Sequence, residues 1–168
     1  GFAPPEDPFN PLTAISVHLS WMKKTICIAL KPQGMDKEEA EKILGKFEDT
    51  FLMDTEEELL TTFLDLIEDA DVLSGWNSEG FDIPYMVNRI TRVLSKSHTR
   101  KFCLWDRMPR ERILTKFGKE SQTYELTGRV HLDYLELYRK FTYHEMHSYS
   151  LDAIGEYELD ERKVAYEG

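Results

Sequence analysis

The sequence is poor in cysteine, and none of its apolar runs approaches the length of a membrane-spanning helix. Its 168 residues include two cysteines, Cys27 and Cys103, too few for the disulfide framework of a small secreted domain or for a zinc knuckle. We therefore expect two unrelated buried thiols and a cytoplasmic protein. The apolar runs fall short of the roughly 20 residues that cross a bilayer. Residues 1–5 contain no basic region followed by an apolar one, so we expect no signal peptide.

A net basic charge is also missing. The formal net charge of −10 argues against a protein that binds DNA by overall electrostatic attraction. The charge is uneven, however, because residues 89–119 contain ten basic and two acidic side chains. Such a segment is typical either of a surface that binds a polyanion or of a solvated helix face and loop. With 41% apolar and 31% charged residues, the chain fits a soluble globular domain with its own core.

Periodicity and turn residues predict alternating strands and helices. The first dozen residues include four prolines and are predicted to form a loop. The predicted strands lie at 13–21 and 25–30, forming a hairpin around Met22-Lys23, and then within 47–53, at 71–76 and at 129–133. The predicted helices are 36–44, one opening at Thr55 with a capping box to Glu58, 83–94, one through 135–138 and one beginning near Ser148. A second hairpin is predicted from 113–119 and 123–126. This alternation favours an α/β sheet of mixed direction.

One polar turn, within residues 74–85, combines several features of a functional site. A hydrophobic strand is predicted to end at Trp76, and Asn77 and Phe81 follow in a turn. Asp82 then begins a helix that has Pro84 in its first turn. An aspartate at this position often only caps its helix. However, ligands and catalytic groups collect at the carboxyl ends of strands in α/β sheets, which makes the turn a candidate site.

The pattern Asn-x-x-x-Phe-Asp after a Trp-ended strand resembles the second exonuclease motif of family B DNA polymerases, most closely those of T-even-like bacteriophages. Three other stretches are similar to segments of that domain in the same order: Gly1-Phe2 with the proline-rich loop, residues 129–138, and the Ser-Tyr-x-Leu-Asp of residues 148–152. The resemblance implies that residues 1–168 form a partial proofreading domain. Its expected fold is an RNase H-like mixed sheet with flanking helices, incomplete, with a β-hairpin insertion.

The resemblance implies a 3′→5′ exonuclease that removes mismatched 3′ nucleotides within a viral DNA-directed DNA polymerase. In that family four carboxylates hold two Mg²⁺ or Mn²⁺ ions, one of which activates the attacking water. Asp82 matches the metal ligand of the second motif and is therefore the predicted catalytic residue. The implied partners are the single-stranded 3′ end of the primer and the rest of the polymerase chain, with no membrane, in the cytoplasm of the host cell.

The other carboxylate motifs of the family are not found at their places. The triplets Asp36-Lys37-Glu38 and Asp54-Thr55-Glu56 fit an Asp-x-Glu motif, but both open helices after the first two strands, where first-turn acidity explains them. No Tyr-x-x-x-Asp occurs, and the chain is interpreted as a fragment that begins just after the first motif. We interpret the histidine-type spacing of His147 and Asp152 as chance. With one matching carboxylate, we expect weak Mg²⁺ binding and no useful nuclease activity from the isolated chain.

Further nucleic-acid contacts are implied by the resemblance. Phe2 matches a ring that packs against the bases of the frayed 3′ end, and Asn77 and Phe81 would line the same path. The hairpin of residues 113–124, around Gly118, matches one that helps to separate primer from template. Its basic side chains include Arg112 and Lys116, which either approach phosphates or protect an exposed edge.

Two further expectations concern the chain as a whole. The alternative function is a non-catalytic RNase H-like module that binds nucleic acid. A sheet without its first strand would also expose an edge, which favours a dimer formed through the truncated sheet.

Overall fold

The computed structural model describes residues 3–116 and 119–165, and it confirms the mixed α/β architecture. Its strands are β1 (Ala14–Leu19), β2 (Lys24–Leu30), β3 (Thr50–Met53), β4 (Val72–Gly75), β5 (Arg110–Lys116), β6 (Lys119–Glu125) and β7 (Val130–Asp133). Its helices are α1 (Lys37–Leu44), α2 (Glu56–Leu66), α3 (Asp82–Val93), α4 (Tyr134–Phe141) and α5 (Leu151–Leu159), with a 3₁₀ helix at Lys96–Phe102. Over these residues no helix is long and apolar enough to span a bilayer.

The first sheet contains three strands of mixed direction, as the sequence predicts. β1 and β2 pair antiparallel from Ala14 opposite Ala29 to Leu19 opposite Lys24, and β2 pairs parallel with β3. The connection between β1 and β2 is longer than the predicted two-residue turn, because Leu19 and Lys24 are the last paired residues and Lys23 has a φ of 54°. Trp21 therefore lies in the turn, 53% exposed, instead of extending the strand.

Helix α2 packs on this sheet and provides much of the core. Its buried side chains join those of β2, α3 and the 3₁₀ helix in one cluster, which includes Ile28, Leu59, Leu60, Leu64, Ile90 and Phe102. The helix begins as the sequence predicts, since the Thr55 hydroxyl accepts a hydrogen bond from the Glu58 N–H. The reciprocal bond of a capping box is shifted by one residue, because the Glu58 carboxylate accepts from the N–H of Asp54.

The second sheet places two strand ends side by side. β4 and β7 pair in parallel, from Val72 opposite Val130 to Gly75 opposite Asp133. Their carboxyl ends therefore lie at the same edge, where β4 leads through a turn to α3 and β7 leads directly to α4. This edge is where side chains from both strands can meet in one site.

The described strands form separate sheets. The first has the order β1-β2-β3, the second is the β4-β7 pair, and β5 and β6 form an antiparallel hairpin. In the described residues the edge strands are therefore β1 and β3 of the first sheet and both strands of the second. The prediction of two buried thiols is half wrong, because Cys103 is buried but Cys27, on β2, is only half-buried.

Candidate active site at the turn between β4 and α3

The predicted site is a tight turn at the carboxyl end of β4. Asn77 adopts a φ of 58°, and its carbonyl accepts a hydrogen bond from the N–H of Phe81 at 3.0 Å. Its side chain folds over Gly80, where a Cβ atom would lie 2.9 Å from Asn77 Oδ1. The backbone reversal brings the chain back to begin α3 at Asp82. The prediction that Asn77 and Phe81 belong to one turn and that Asp82 begins the next helix is therefore confirmed.

Asp133, the last residue of β7, holds this turn in place. Its Oδ1 accepts hydrogen bonds from the N–H groups of Asn77, at 2.9 Å, and Leu135, at 3.0 Å. Its Oδ2 accepts from the N–H of Glu79 at 3.0 Å. Asp133 is 7% exposed, and backbone donors occupy both of its oxygens. It therefore positions the turn and caps α4, which leaves it poorly suited to bind a metal ion.

Two more side chains fix the middle of the turn. His131, also on β7, lies with Nε2 2.9 Å from the hydroxyl of Ser78. The Thr123 hydroxyl donates to the carbonyl of Glu79 at 2.7 Å, which connects the turn to β6. Burial lowers the pKa of His131, although the negative charges of Glu79 and Asp133 oppose that shift. The imidazole is therefore neutral at pH 7, and it acts as an uncharged partner of the Ser78 hydroxyl.

Asp82 is the carboxylate that the turn presents. It is the first residue of α3, where the helix dipole favours a negative charge, and its side chain is exposed. Desolvation by the surrounding protein is the largest cause of its raised pKa. A hydrogen bond from its own backbone opposes the shift, and the charge of Asp133 adds to it. An exposed but partly desolvated carboxylate of this kind gains from a bound cation, which would offset both the desolvation and the nearby negative charge.

A cavity of about 500 Å³ adjoins the turn on the side of α4. It is lined by Trp76, Asn77, Leu135, Glu136, Arg139, Tyr149 and Ser150. The Trp76 indole N–H donates to the carbonyl of Tyr149 at 3.0 Å, and the Arg139 guanidinium lies 4.4 Å from the centre of the Tyr149 ring. Sequence reasoning missed this cavity, although the Ser-Tyr-x-Leu-Asp stretch that it identified contains two of the lining residues.

The other predicted nucleic-acid contacts are scattered. Phe81 is half-buried and stacks on Tyr85, with ring centroids 5.6 Å apart. Arg112 is exposed on β5, opposite Thr123. Lys116 ends β5, while its side chain, together with Phe2 and Gly118, lies outside the described part of the chain.

The described side chains provide an incomplete set of metal ligands. Within 3–116 and 119–165, no three histidine, cysteine or acidic side chains are grouped as a metal site. Asp36 is the N-cap residue of α1, and Asp54 lies two residues before α2, so both are at helix starts, as expected. The carboxylate of Asp54 accepts a hydrogen bond from Lys37 Nζ at 2.5 Å. Asp82 fits one position in the coordination sphere of a hard cation, but it does not form a site alone.

The fold and the turn place the protein in a broad class, that of α/β domains whose site lies where neighbouring parallel strands end. The particular family follows from comparison with known proteins. The sequence model for the exonuclease domain of DNA polymerase family B matches residues 1–154, and the chain belongs to this family. Exonuclease domains of this family are in general metal-dependent.

The similar proteins are polymerases that are much longer than this chain. The DNA-directed DNA polymerase of Escherichia phage RB69 is 38% identical over 117 residues, which make up 68% of this chain and 13% of that protein. The DNA-directed DNA polymerase of Enterobacteria phage T4 is 32% identical over 117 residues, which are again 68% of this chain and 13% of that protein. The DNA polymerase delta catalytic subunit of Arabidopsis thaliana is 27% identical over 126 residues, 68% of this chain and 11% of that protein. The chain thus spans about an eighth of the phage relatives.

Proposed function

We propose that this chain supplies the second-motif part of a 3′→5′ proofreading exonuclease site in a viral DNA-directed DNA polymerase, which we call the parent polymerase. The observation that supports the proposal most strongly is the placement of Asp82. An exposed carboxylate begins α3 directly after a turn that Asp133 and His131 hold from β7. The turn is thus built to present Asp82 at a fixed position, as a metal-dependent hydrolytic site requires.

Asp82 would hold a divalent cation, Mg²⁺ or Mn²⁺, through its carboxylate oxygens. Two such ions in the complete domain would supply a water nucleophile and stabilise the leaving 3′ oxygen. This chain would hold Asp82 in place, while the carboxylate of Asp133 stays bound to backbone donors. A single carboxylate does not organise two ions, and we therefore propose that the remaining ligands come from other parts of the parent polymerase. The isolated chain is expected to bind the metal weakly and to lack useful activity.

The substrate in this proposal is the single-stranded 3′ end of the primer. Asn77 and Phe81 border the turn that presents Asp82, and the cavity beside Trp76 and Tyr149 offers aromatic and cationic groups to bases and phosphates. Phe2 would add a stacking ring. The hairpin of β5 and β6, with Arg112, Lys116 and Gly118, would approach the duplex from which the 3′ end separates.

The remaining partner proposals follow from the sheet edges. The edge strands of the two sheets would pair with other segments of the parent polymerase, in the cytoplasm of the host cell. In the isolated chain the same edges would favour a dimer. Sedimentation equilibrium tests this point, because a monomer mass that is independent of concentration would contradict dimerisation.

A second candidate function is a nucleic-acid-binding module without catalysis. The observation that favours it is that no cluster of metal-binding side chains surrounds Asp82 in the described residues. The two candidates differ in the parent polymerase: the first predicts that loss of Asp82 abolishes digestion of DNA, and the second predicts that it does not.

The test is digestion of a primer with a 3′ mismatch in the presence of Mg²⁺. It compares the isolated chain, the parent polymerase and the parent polymerase with Asp82→Ala. The matched control is Asp36→Ala, since Asp36 also lies at a helix start but belongs to a rejected motif. We expect digestion by the parent polymerase and by the Asp36→Ala variant only. Equal digestion by the Asp82→Ala variant would refute the assignment, and digestion by the isolated chain would show that its own carboxylates suffice.

A further inference from the structure

One face of α3 binds the N-terminal strap, which we define as residues 5–12. The strap contains three prolines, each without an N–H group, and its carbonyl groups need donors from elsewhere. Helix α3 supplies several of them from side chains three or four residues apart. Tyr85 donates to the Asn10 carbonyl, Asn88 to the Pro5 carbonyl, Arg89 to the carbonyls of Pro8 and Phe9, and Arg92 to the Asp7 carboxylate.

Asn88 differs from the other three because it also binds the hairpin. Its Nδ2 donates to the Pro5 carbonyl at 2.8 Å and to Gln122 Oε1 at 2.9 Å, which uses both amide hydrogens. Its Oδ1 accepts a hydrogen bond from the Tyr124 hydroxyl at 2.6 Å. Gln122 and Tyr124 both belong to β6. A single half-buried amide thus joins the strap, α3 and the hairpin, and each of its polar groups has a partner.

The connection continues across the hairpin. The amide nitrogen of Gln122 donates to Glu111 Oε1 at 2.9 Å, so that β5 is linked to the same series of bonds. Burial raises the pKa of Tyr124, with the charge of Glu111 adding to the shift, and the hydroxyl therefore stays protonated as the donor to Asn88. If Gln122 and Tyr124 move with the hairpin, either their bonds to Asn88 break or the strap moves with them.

The neighbouring residue on the helix shows that a strap contact does not by itself require a link to the hairpin. Arg89 binds the strap and forms a bidentate pair with Glu56, at 2.7 and 2.6 Å. Glu56 Oε1 in turn accepts from the N–H of Leu12. This group fixes the strap to α2 and α3, and its hydrogen bonds do not include β5 or β6. Asn88, in contrast, bonds to both the strap and the hairpin.

We infer that Asn88 is a positioning residue that couples the β5–β6 hairpin to the N-terminal strap, on the helix that begins with Asp82. In a complete exonuclease site, this coupling sets the position of the hairpin relative to the turn of Asp82. The coupling itself is a property of the fold. Its effect on substrate rests on the proposed function, so the two are tested separately.

The coupling is tested by amide hydrogen exchange in this chain. Tyr124→Phe removes only the hydroxyl that donates to Asn88, and Asn88→Leu removes all three hydrogen bonds of the Asn88 side chain. The informative amides are those of Asp7 and Phe9, which bond to the Pro4 and Asp7 carbonyls within the N-terminal segment. We expect Tyr124→Phe to accelerate exchange at these two amides about fivefold, which corresponds to the loss of one hydrogen bond, and Asn88→Leu to accelerate it more, because it also removes the direct bond to the strap.

The matched control is Arg110→Gln, which breaks the ion pair of Arg110 with Glu125 on the same hairpin but does not touch Asn88. Exchange in the strap should not change in this variant. The inference is overturned if Tyr124→Phe leaves the strap amides at their original rates, or if Arg110→Gln accelerates them equally. Because Tyr124→Phe is conservative, it decides the matter even if Asn88→Leu does not fold.

The effect on substrate is measured in the parent polymerase, as the ratio of digestion of a mismatched duplex to digestion of single-stranded DNA. We expect Tyr124→Phe to lower this ratio about fivefold, in proportion to the loosened junction. An unchanged ratio, with both rates reduced together, would indicate a purely structural role and contradict the inference. If the parent polymerase digests neither substrate, the proposed function fails, whereas hydrogen exchange still decides the coupling.

Discussion

Replacement of Asp133 by asparagine tests the bonds that hold the candidate site. Asparagine has one side-chain oxygen and one NH₂ group where Asp133 has two oxygens. If its oxygen keeps the bonds to the N–H groups of Asn77 and Leu135, its NH₂ group takes the place of the oxygen that accepts from Glu79. At least one part-buried backbone N–H, that of Glu79 in the simplest arrangement, loses its acceptor. The bonds are charge-assisted and Asp133 is 7% exposed. We therefore expect a loss of about 2 kcal/mol in the free energy of unfolding.

The assay is urea denaturation at pH 7, followed by circular dichroism, with Asp152→Asn as the matched control. Asp152 accepts one hydrogen bond, from the N–H of Lys163, near the end of the described chain. The control should change the free energy of unfolding by less than about 0.5 kcal/mol. If Asp133→Asn costs no more than the control, the turn does not depend on Asp133, and the reasoning about how β7 positions Asp82 is refuted.

Three further predictions concern the same helix and turn. Asp82→Asn should raise the free energy of unfolding at pH 7, because the pKa of Asp82 is raised in the folded state and the charged carboxylate is therefore destabilising there. The gain should vanish as the pH falls through that raised pKa. An equal gain at pH 3 in urea denaturation would contradict this. Arg89→Met leaves the Glu56 carboxylate, whose side chain is 11% exposed, without its bidentate partner. It should cost about 3 kcal/mol in the same assay, and a loss below about 1 kcal/mol would refute a structural role for the pair. Gly80→Ala should change the free energy of unfolding by less than about 1 kcal/mol, because only the end of the Asn77 side chain must move. The displaced Asn77 side chain should nevertheless slow digestion of a mismatched primer by the parent polymerase. An unchanged rate would exclude Asn77 from the substrate path.

The local parts of the site were predictable from the sequence. Asn77, Phe81 and Asp82 lie within six positions, so the strand, turn and helix signals around them sufficed to place them together. The start of α2 at Thr55 was predictable for the same reason, because a helix cap depends on residues three positions apart.

The contacts that hold the site are distant in sequence, and no local pattern encodes them. The donor Trp76 and the acceptor Tyr149 are 73 positions apart, and Asp133 reaches back 56 positions to Asn77. The sequence identified Asp133 as the end of a strand but not as an acceptor of three backbone bonds. The length of the first turn was also misjudged, since the apolar Trp21 continues the alternation of β1 although the pairing ends at Leu19.

The central claim, that Asp82 is a metal ligand of the exonuclease site, is tested most directly by a change of metal specificity. A thiolate is a poor ligand for Mg²⁺ and a good one for softer cations such as Cd²⁺. In the parent polymerase, Asp82→Cys should digest a mismatched primer at least about a hundredfold more slowly with Mg²⁺, since a metal contributes several kcal/mol to such a reaction. Added Cd²⁺ should restore part of the rate in Asp82→Cys but none in Asp82→Ala. Unchanged digestion by Asp82→Ala in Mg²⁺ would contradict the claim.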